Sequence, residues 1–311
     1  MSFNFTILGS FSALPSVNRH PSAHVFCAHE QFYLIDCGEG AQVQLKRYGF
    51  NLLKINHIFI SHLHGDHFYG IYGLISTMSL MGRKTALTIY APSPLKEIIK
   101  NHCDFFEQNI SYEIICIEIS TDTSELIYEN KVLEVYSIPL KHKIPTSGFL
   151  FKEKTPSRNV YKDFIDNYAL DLYQIQALKR GEDIETSDGE LLKCQTATYY
   201  PYRERLFAYC SDTAPSKEVS ALIRGADLLY HESTFLEIDK KIALATGHST
   251  AKGAAFIASF AEVKQLVIGH FSSRYKGDFS LFYNEAKEQF DNVLLAEEGK
   301  TYKIPKLSNN Q

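Results

Sequence analysis

Four side chains that commonly bind metal ions stand within six residues of this chain, between an apolar strand and a helical run. The segment His62–His67 reads His-Leu-His-Gly-Asp-His, directly follows Ile58–Ser61 and precedes the helical run Phe68–Ile71. Gly65 allows the loop to turn tightly, and Asp66 lies where a helix dipole favours a carboxylate. Imidazole and carboxylate are good zinc ligands, but four are too many for one tetrahedral ion that must also hold a water. The segment therefore predicts a loop that divides its ligands between two metal ions.

Three more candidate ligands each stand just past a predicted apolar strand. They are His142 after Val132–Ile138, Asp212 after Leu206–Cys210 and His270 after Gln265–Gly269. Because each is the first strong ligand after its strand, we expect all three on the same rim of a sheet as the His62–His67 loop. Any one of them alone is adequately explained as a surface residue. Together with the loop, they predict one metal-binding cluster.

Short apolar runs alternate with helical patterns along most of the 311 residues. Further strands are predicted at Phe3–Leu8, Ala23–Ala28, Gln31–Asp36, His57–Ser61, Ala86–Ala91 and Leu228–His231, and helices at Gly40–Arg47, Phe68–Met81, Pro94–Phe105, Ser216–Arg224, Ala251–Phe260 and Ser280–Phe290. This alternation indicates sheets covered by helices, which is the α/β class, within one large domain that spans residues 1–311.

The charge balance and the lengths of the apolar runs argue against two classes of protein. Acidic residues outnumber basic ones by 36 to 32, which disfavours a broad nucleic-acid-coating surface but leaves room for a local basic patch. No stretch reaches the ~18 apolar residues that a membrane span needs, and Met1–Leu14 lacks the basic start of a signal peptide. We therefore expect a cytoplasmic protein with no membrane partner.

One segment, 152–188, interrupts the alternation. It is polar, shows a weak helical pattern around Tyr161–Tyr173 and ends in a stretch that contains Gly181. Its basic residues are Lys152, Lys154, Arg158, Lys162, Lys179 and Arg180. Two interpretations stay open at this point: an ordinary surface insertion and a projecting binding arm.

The candidate ligands and their spacing resemble the signature of the metallo-β-lactamase fold, an αββα sandwich of two mixed sheets with a dinuclear metal site along one edge. The resemblance extends from Ile7 to Ala296. It implies that one zinc ion is held by His62, His64 and His142, that a second is held by Asp66, His67 and His270, and that Asp212 bridges the two. Asp36 matches the family's aspartate that orients the ligand loop through hydrogen bonds.

Three further motifs resemble, in order and spacing, those of the ribonuclease Z family. They are His231-Glu232-Ser233-Thr234, His248-Ser249-Thr250, and His270 followed by Ser272-Ser273-Arg274-Tyr275, where the family carries HEAT, HST and a histidine before Ser-X-Arg-Tyr. Ser233 departs from the family's alanine. The resemblance implies that Asp66 accepts the proton of the attacking water and that His248, oriented by Glu232, protonates the leaving oxygen as a general acid. Arg274 has two open interpretations, a phosphate contact and a structural salt bridge.

The same resemblance implies a zinc-dependent endoribonuclease that removes the 3′ trailer from precursor tRNA, cutting after the discriminator base to leave a 3′-hydroxyl. The run Leu178–Glu182 resembles the end of the family's tRNA-binding arm, so Lys179 and Arg180 are expected to contact the substrate. Upstream, Ala169–Tyr173 replaces the family's usual Gly-Pro element. The chain length matches the short form of the family, which implies a homodimer.

Two other functions fit parts of the sequence. One is a phosphodiesterase or sulfatase of the same fold that acts on small molecules, although such an enzyme has no evident use for segment 152–188 or for His248 with Glu232. The other is a non-catalytic nucleic-acid-binding or scaffold protein, which has no evident use for a complete ligand set. Rates on a small phosphodiester and on precursor tRNA distinguish the first, and zinc content distinguishes the second.

Overall fold

The computed structural model describes residues 2–14, 18–106, 109–276 and 278–307. Its strands are β1 Phe3–Gly9, β2 Ala23–Ala28, β3 Gln31–Cys37, β4 Ile55–Phe59, β5 Leu87–Ala91, β6 Ile114–Glu118, β7 Leu126–Glu129, β8 Leu133–Pro139, β9 Ser147–Glu153, β10 Asn159–Val160, β11 Ile184–Glu185, β12 Leu191–Leu192, β13 Thr198–Tyr199, β14 Leu206–Cys210, β15 Leu228–Glu232, β16 Leu266–Gly269, β17 Val293–Leu295 and β18 Thr301–Lys303. Its α-helices are α1 Ala41–Arg47, α2 Gly65–Phe68, α3 Gly70–Leu80, α4 Leu95–Phe105, α5 Lys162–Asn167, α6 Leu172–Arg180, α7 Cys194–Ala197, α8 Lys217–Leu222, α9 Lys240–Thr246, α10 Ala251–Phe260 and α11 Ser280–Lys287.

These elements form two compact units. The first, called the sandwich unit, contains the residues up to Lys152 together with Leu206–Ile304. The second, called the insert unit, contains Glu153–Arg205 and the residues that follow Ile304.

The sandwich unit is built on two mixed sheets of seven strands each within the described residues. One sheet has the order β18-β1-β2-β3-β4-β5-β6 and the other has the order β17-β16-β15-β14-β9-β8-β7. In the first sheet β3 to β6 run parallel, and in the second β14 to β17 run parallel. Because the carboxyl ends of parallel strands meet at one edge of a sheet, residues that follow these strands are brought together there.

An aromatic core fills the space between the two sheets. Phe5 and Phe26 of the first sheet pack against Phe207 of the second, with ring centroids 4.6 and 5.0 Å apart. All three rings are fully buried, and burial of one such ring stabilises the fold by roughly 1.5–3 kcal/mol. Strands that alternate apolar side chains toward this core hold the two sheets together and fix their register.

Helices cover the outer faces of both sheets and complete an αββα arrangement. Apolar residues of α1, α3 and α4 share a buried cluster with those of β4 and β5, outside the first sheet. Residues of α8, α10 and α11 join the cluster that contains β14 to β17. This arrangement confirms the predicted α/β class and its two sheets flanked by helices.

The insert unit differs from the prediction in two respects. Its compact part continues to Arg205, beyond the predicted end at Asp188. The weak helix predicted around Tyr161–Tyr173 is confirmed only in part, by the shorter helix α5, and the second helix, α6, was not predicted. Asp171 begins α6 with a capping box. Its side chain accepts a hydrogen bond from the backbone N–H of Gln174, and the Gln174 side chain accepts one from the backbone N–H of Asp171.

The structure also differs from the predicted helices and strands of the sandwich unit. The helix predicted at Phe68–Met81 is divided into α2 and α3 at Tyr69. Five strands of the two large sheets, β6, β7, β9, β17 and β18, and the helix α9 were not predicted. Within the described ranges, no helix combines the length and apolar character that a bilayer span requires.

Candidate metal centre

Seven predicted ligands converge at one edge of the sandwich unit. The loop after β4 carries His62 and His64, and α2 carries Asp66 and His67. The other three, His142, Asp212 and His270, follow β8, β14 and β16. The structure thus brings together all seven residues that the sequence singles out, in the groups described next.

The first group consists of His62, His64, His142 and Asp212. The Nε2 atom of His62 lies 3.0 Å from Nδ1 of His64, which lies 3.3 Å from Nε2 of His142. Oδ2 of Asp212 lies 3.5 Å from the His62 nitrogen and 3.8 Å from the His142 nitrogen. Four donor atoms therefore face one small space.

The second group consists of Asp66, His67 and His270, with the other oxygen of Asp212. The Nε2 atoms of His67 and His270 lie 3.2 Å apart, and both lie within 3.5 Å of Asp66 Oδ2. Oδ1 of Asp212 lies 3.5 Å from the His67 nitrogen and 3.3 Å from the His270 nitrogen. Asp212 thus presents one oxygen to each group, which is the geometry of a bridging carboxylate.

The donor spacing in both groups fits a bound metal ion. Ligands 2.0–2.2 Å from a tetrahedral zinc ion are about 3.3–3.6 Å from one another, and the neighbouring donor atoms of the two groups lie 3.0 to 3.8 Å apart. Oδ1 of Asp212 is buried and has no hydrogen-bond partner among the described residues. A buried carboxylate oxygen in that position needs a cation or a proton donor. The residues present therefore fit a metal centre.

The pKa shifts of the histidines also favour a metal centre. Burial lowers the pKa of His62, His64 and His142, which keeps these rings in the neutral form that ligates metals. Burial also opposes the charged form of His67, but Asp212 and the other neighbouring carboxylates raise the pKa of His67 well above its usual value. Concentrated negative charge around that ring marks a position for positive charge.

Asp36, predicted to orient the loop, is fully buried and does contact it. Its Oδ2 lies 2.9 Å from Nδ1 of His67 and accepts from the hydroxyls of Ser61 and Tyr209 at 3.0 and 2.6 Å. Oδ1 accepts from the Ser61 backbone at 2.8 Å. Ser61 Oγ also lies 3.0 Å from Nδ1 of His62. One carboxylate therefore orients a ligand of each group, either directly or through a hydroxyl.

Glu232, at the end of β15 in the second sheet, orients groups of the site as Asp36 does from the first sheet. Its Oε1 accepts from Nδ1 of His248 at 3.0 Å and from the backbone N–H of Ser249 at 2.8 Å. Its Oε2 accepts from the backbone and the hydroxyl of Thr234, both at 2.8 Å. The Thr234 hydroxyl in turn lies 2.9 Å from Nδ1 of His270. Glu232 therefore orients both His248 and, through Thr234, a candidate metal ligand.

His248 is positioned as a charged group beside the metal-ligand cluster. Burial opposes its protonation, but the carboxylates of Glu232 and Asp212 outweigh burial and raise the pKa of His248 to about 9. Burial likewise opposes ionisation of Glu232, and His248 lowers the pKa of Glu232 to about 2. At neutral pH the pair is an imidazolium held by a carboxylate.

A cavity of about 650 Å³ opens over this centre. Its wall includes His64, Asp66, His142, His248 and His270. Candidate ligands and the charged imidazole therefore face the same solvent-accessible space. A substrate in that space reaches both sets of groups.

Arg274, one of the three predicted substrate-binding residues, does not line this cavity. Arg274 pairs with Asp239 at 3.2 Å, which agrees with the interpretation as a structural salt bridge. Lys179 and Arg180 are exposed in the last turn of α6 in the insert unit, where Arg180 pairs with Glu182.

Three hydroxyls were not singled out from the sequence: those of Ser61, Thr234 and Tyr209. Ser61 precedes a ligand directly, and Thr234 follows Glu232 by two residues. Those neighbours mark both residues, and Thr234 is also the last residue of the His231–Thr234 motif. Tyr209 reads as a core residue of β14, and only the fold brings it to Asp36.

Comparisons of sequence and of structure identify similar known proteins. The chain is 43% identical to ribonuclease Z of Bacteroides thetaiotaomicron, over 95% of this chain and 93% of that protein. Human tRNase Z, short form (ELAC1), matches with a TM-score of 0.71 and 26% identity, over 97% of this chain and 99% of the human one.

Two further matches concern the fold. The Bacillus subtilis metallo-β-lactamase fold protein YhfI gives a TM-score of 0.68 at 18% identity, over 96% of this chain and 98% of that chain. A family model described as anti-Pycsar protein Apyc1 matches residues 3–109. That segment contains the His62–His67 loop but not His142, Asp212 or His270.

Proposed function

Because the chain belongs to the ribonuclease Z family, we propose that it removes the 3′ trailer of precursor tRNA by one hydrolytic cut after the discriminator base. The cut leaves a 3′-hydroxyl on the tRNA. The observation that carries this proposal is the convergence of two ligand groups on the two oxygens of Asp212, beside the His248–Glu232 pair.

Each chain is proposed to hold two zinc ions. One would be bound by His62, His64 and His142, the other by Asp66, His67 and His270, with Asp212 between them. The donors are imidazole nitrogens and carboxylate oxygens, which suit zinc. When bound, the two ions supply Lewis-acid activation of the attacking water and of the phosphate.

Two side chains of this protein would move the protons. Asp66 Oδ2 is fixed by the backbone N–H of Ala13 at 2.8 Å. Burial opposes its ionisation, but His67 and His270 hold the pKa of Asp66 well below its usual range, so the carboxylate is charged. Its proposed role as acceptor of the water's proton rests on its position in the ligand cluster. On the leaving side, Glu232 holds Nδ1 of His248, which leaves Nε2 free to donate to the departing 3′-oxygen.

The insert unit is proposed to bind the body of the tRNA. Lys179 is exposed, and the surface pair of Arg180 with Glu182 is of a kind that contributes little stability, so both cations are available to phosphates. Arg274 is half exposed and is proposed to contact a phosphate in addition to Asp239. A homodimer that works in the cytoplasm completes the proposal.

The decisive comparison is between two substrates. Purified protein loaded with zinc is assayed on a precursor tRNA with a 3′ trailer and on bis(p-nitrophenyl) phosphate. The proposal predicts a far higher kcat/KM on the precursor. Hydrolysis of the small diester with no cleavage of the precursor would instead favour a small-molecule phosphodiesterase of the same fold.

A further inference from the structure

A second cavity of about 370 Å³ adjoins the first and shares His248 as a common wall. Its other walls include apolar residues of α9 and α10, among them Ala243, Leu244 and Phe256. Lys240 and Lys252 also line it. We call this cavity the α9–α10 pocket. No candidate metal ligand lines it, so the proposed chemistry leaves it unassigned.

The chemistry of the proposed cut defines what must lie beside His248. The oxygen that His248 protonates is the 3′-oxygen of the nucleotide retained on the tRNA. A general acid must come within hydrogen-bond reach of that oxygen. The ribose that carries this oxygen therefore contacts His248, and its base lies one sugar width away. The α9–α10 pocket begins at His248.

We propose that the α9–α10 pocket binds the nucleoside on the 5′ side of the scissile phosphate, with its base stacked on the ring of Phe256. The inference rests on the proposed function and identifies a subsite of that same centre. A volume of about 370 Å³ falls within the range of small-ligand sites.

Phe256 presents an open aromatic face for such a base. Phe256 is 42% exposed, although its neighbours Ala255 and Ile257 on the same helix are buried. The ring of Phe260, one turn later, packs against it with ring centroids 6.1 Å apart and an interplanar angle of 25°. Stacking on an aromatic ring accepts any base, because every base has a π-face.

The charges at the edge of the pocket suit a nucleotide. Lys240 pairs with Glu237 at 2.7 Å, and Lys252 lies 3.4 Å from Glu288. Both are partly exposed surface pairs, which contribute little and exchange readily for a phosphate. The apolar wall and the two cations together match a base and its adjoining 5′ phosphate.

The test replaces Phe256 and uses Phe260 as a matched control. Both rings are about half exposed on α10, but only Phe256 lines the pocket. Phe256→Ala should lower kcat/KM for precursor tRNA by about 5- to 100-fold, the range for loss of one base stack, and by clearly more than it lowers the rate on bis(p-nitrophenyl) phosphate. Phe260→Ala removes the neighbouring ring, which does not line the pocket, and should lower kcat/KM for precursor tRNA much less than Phe256→Ala does.

Two further variants separate stacking from simple bulk. Phe256→Tyr keeps the aromatic face and should retain most of the activity. Phe256→Leu keeps an apolar side chain but loses the face, and should behave like Phe256→Ala. Equal activity of the Leu and Tyr variants would overturn the stacking assignment.

A direct measurement identifies the occupant. 2-Aminopurine is placed at the discriminator position of a precursor with a non-hydrolysable linkage at the cut site, and its fluorescence is followed on binding zinc-loaded protein. Wild type should quench it through stacking and Phe256→Leu should not. Quenching that depends on Phe256 only when the probe is the first trailer nucleotide would overturn the assignment. If wild type does not cut the precursor at all, the proposed function fails; if it does and Phe256→Ala matches Phe260→Ala, only the subsite fails.

Discussion

Replacing Glu232 by glutamine tests the acid side of the mechanism most sharply. The substitution keeps the shape of the side chain but removes the charge that faces Nδ1 of His248. Its amide has one acceptor where the carboxylate has two oxygens in use, one toward His248 and one toward Thr234. We expect Glu232→Gln to weaken both the charge and the orientation of His248.

The size of the effect follows from the raised pKa. A pKa of about 9 instead of 6.5 for His248 corresponds to about 3 kcal/mol of net stabilisation of the imidazolium, after burial has acted against it. Without the Glu232 charge, the pKa of His248 returns to about its ordinary value or below it. At pH 7 only about a quarter of the rings then carry a proton. Lost charge thus accounts for about fourfold, and lost orientation for the rest of a ~10²–10⁴-fold decrease in kcat.

The dependence of kcat on pH shows in which direction the pKa of His248 changes. His248 donates a proton, so activity falls as pH rises through its pKa, and a lower pKa in Glu232→Gln moves that falling limb to lower pH. Bound zinc lowers the pKa of His248 in both proteins, so the difference between them is the quantity to measure. The assay is kcat against pH at saturating zinc, on precursor tRNA and on bis(p-nitrophenyl) phosphate, whose p-nitrophenolate leaving group needs no proton.

Thr234→Val is the matched control. It removes the hydroxyl between Glu232 and His270, which also lies 3.3 Å from Nδ1 of His248, but it leaves the closer 3.0 Å contact of the Glu232 carboxylate with that nitrogen. It should weaken metal retention by about 10- to 100-fold and leave the falling limb in place. Coincident limbs for wild type and Glu232→Gln, or an equal loss on both substrates, would refute the assigned role of Glu232.

Three other perturbations address the metals and the tRNA. Asp212→Ala should lose affinity for both ions, because each oxygen serves one group, whereas His270→Ala should mainly weaken one; elemental analysis that finds equal losses would contradict the bridge. Tyr209→Phe removes the 2.6 Å hydrogen bond to Asp36 and should weaken metal binding by about 10- to 100-fold with the fold intact; unchanged affinity in a chelator competition would count against it. Replacing residues 155–175 by a short Gly-Ser linker should leave small-diester hydrolysis nearly intact, reduce precursor binding and flatten its salt dependence; unaltered tRNA cleavage would make the segment an ordinary insertion.

The ligand cluster was predictable because its signal is local. Each of His142, Asp212 and His270 follows an apolar strand, and the ends of such strands meet at one edge. The His62–His67 loop needs no long-range information at all. The predicted strands around these residues are confirmed to within two residues.

The contact between Tyr209 and Asp36 was not predictable, because the two residues are remote in sequence. Tyr209 and Asp36 are separated by 173 positions, and only the packing of the two sheets brings them into contact. A tyrosine in an apolar strand has burial as its simplest interpretation. By contrast, the break between α5 and α6 did have a local signal, the capping box of Asp171 and Gln174.

Mapping the cut on one unmodified precursor tRNA tests the central claim most directly. Zinc-loaded protein is incubated with a precursor that carries a 3′ trailer, and both product ends are determined. The account predicts one cut immediately after the discriminator base, with a 3′-hydroxyl on the tRNA and a 5′-phosphate on the trailer. A 2′,3′-cyclic phosphate on the tRNA product, or cuts scattered along the trailer, would contradict it.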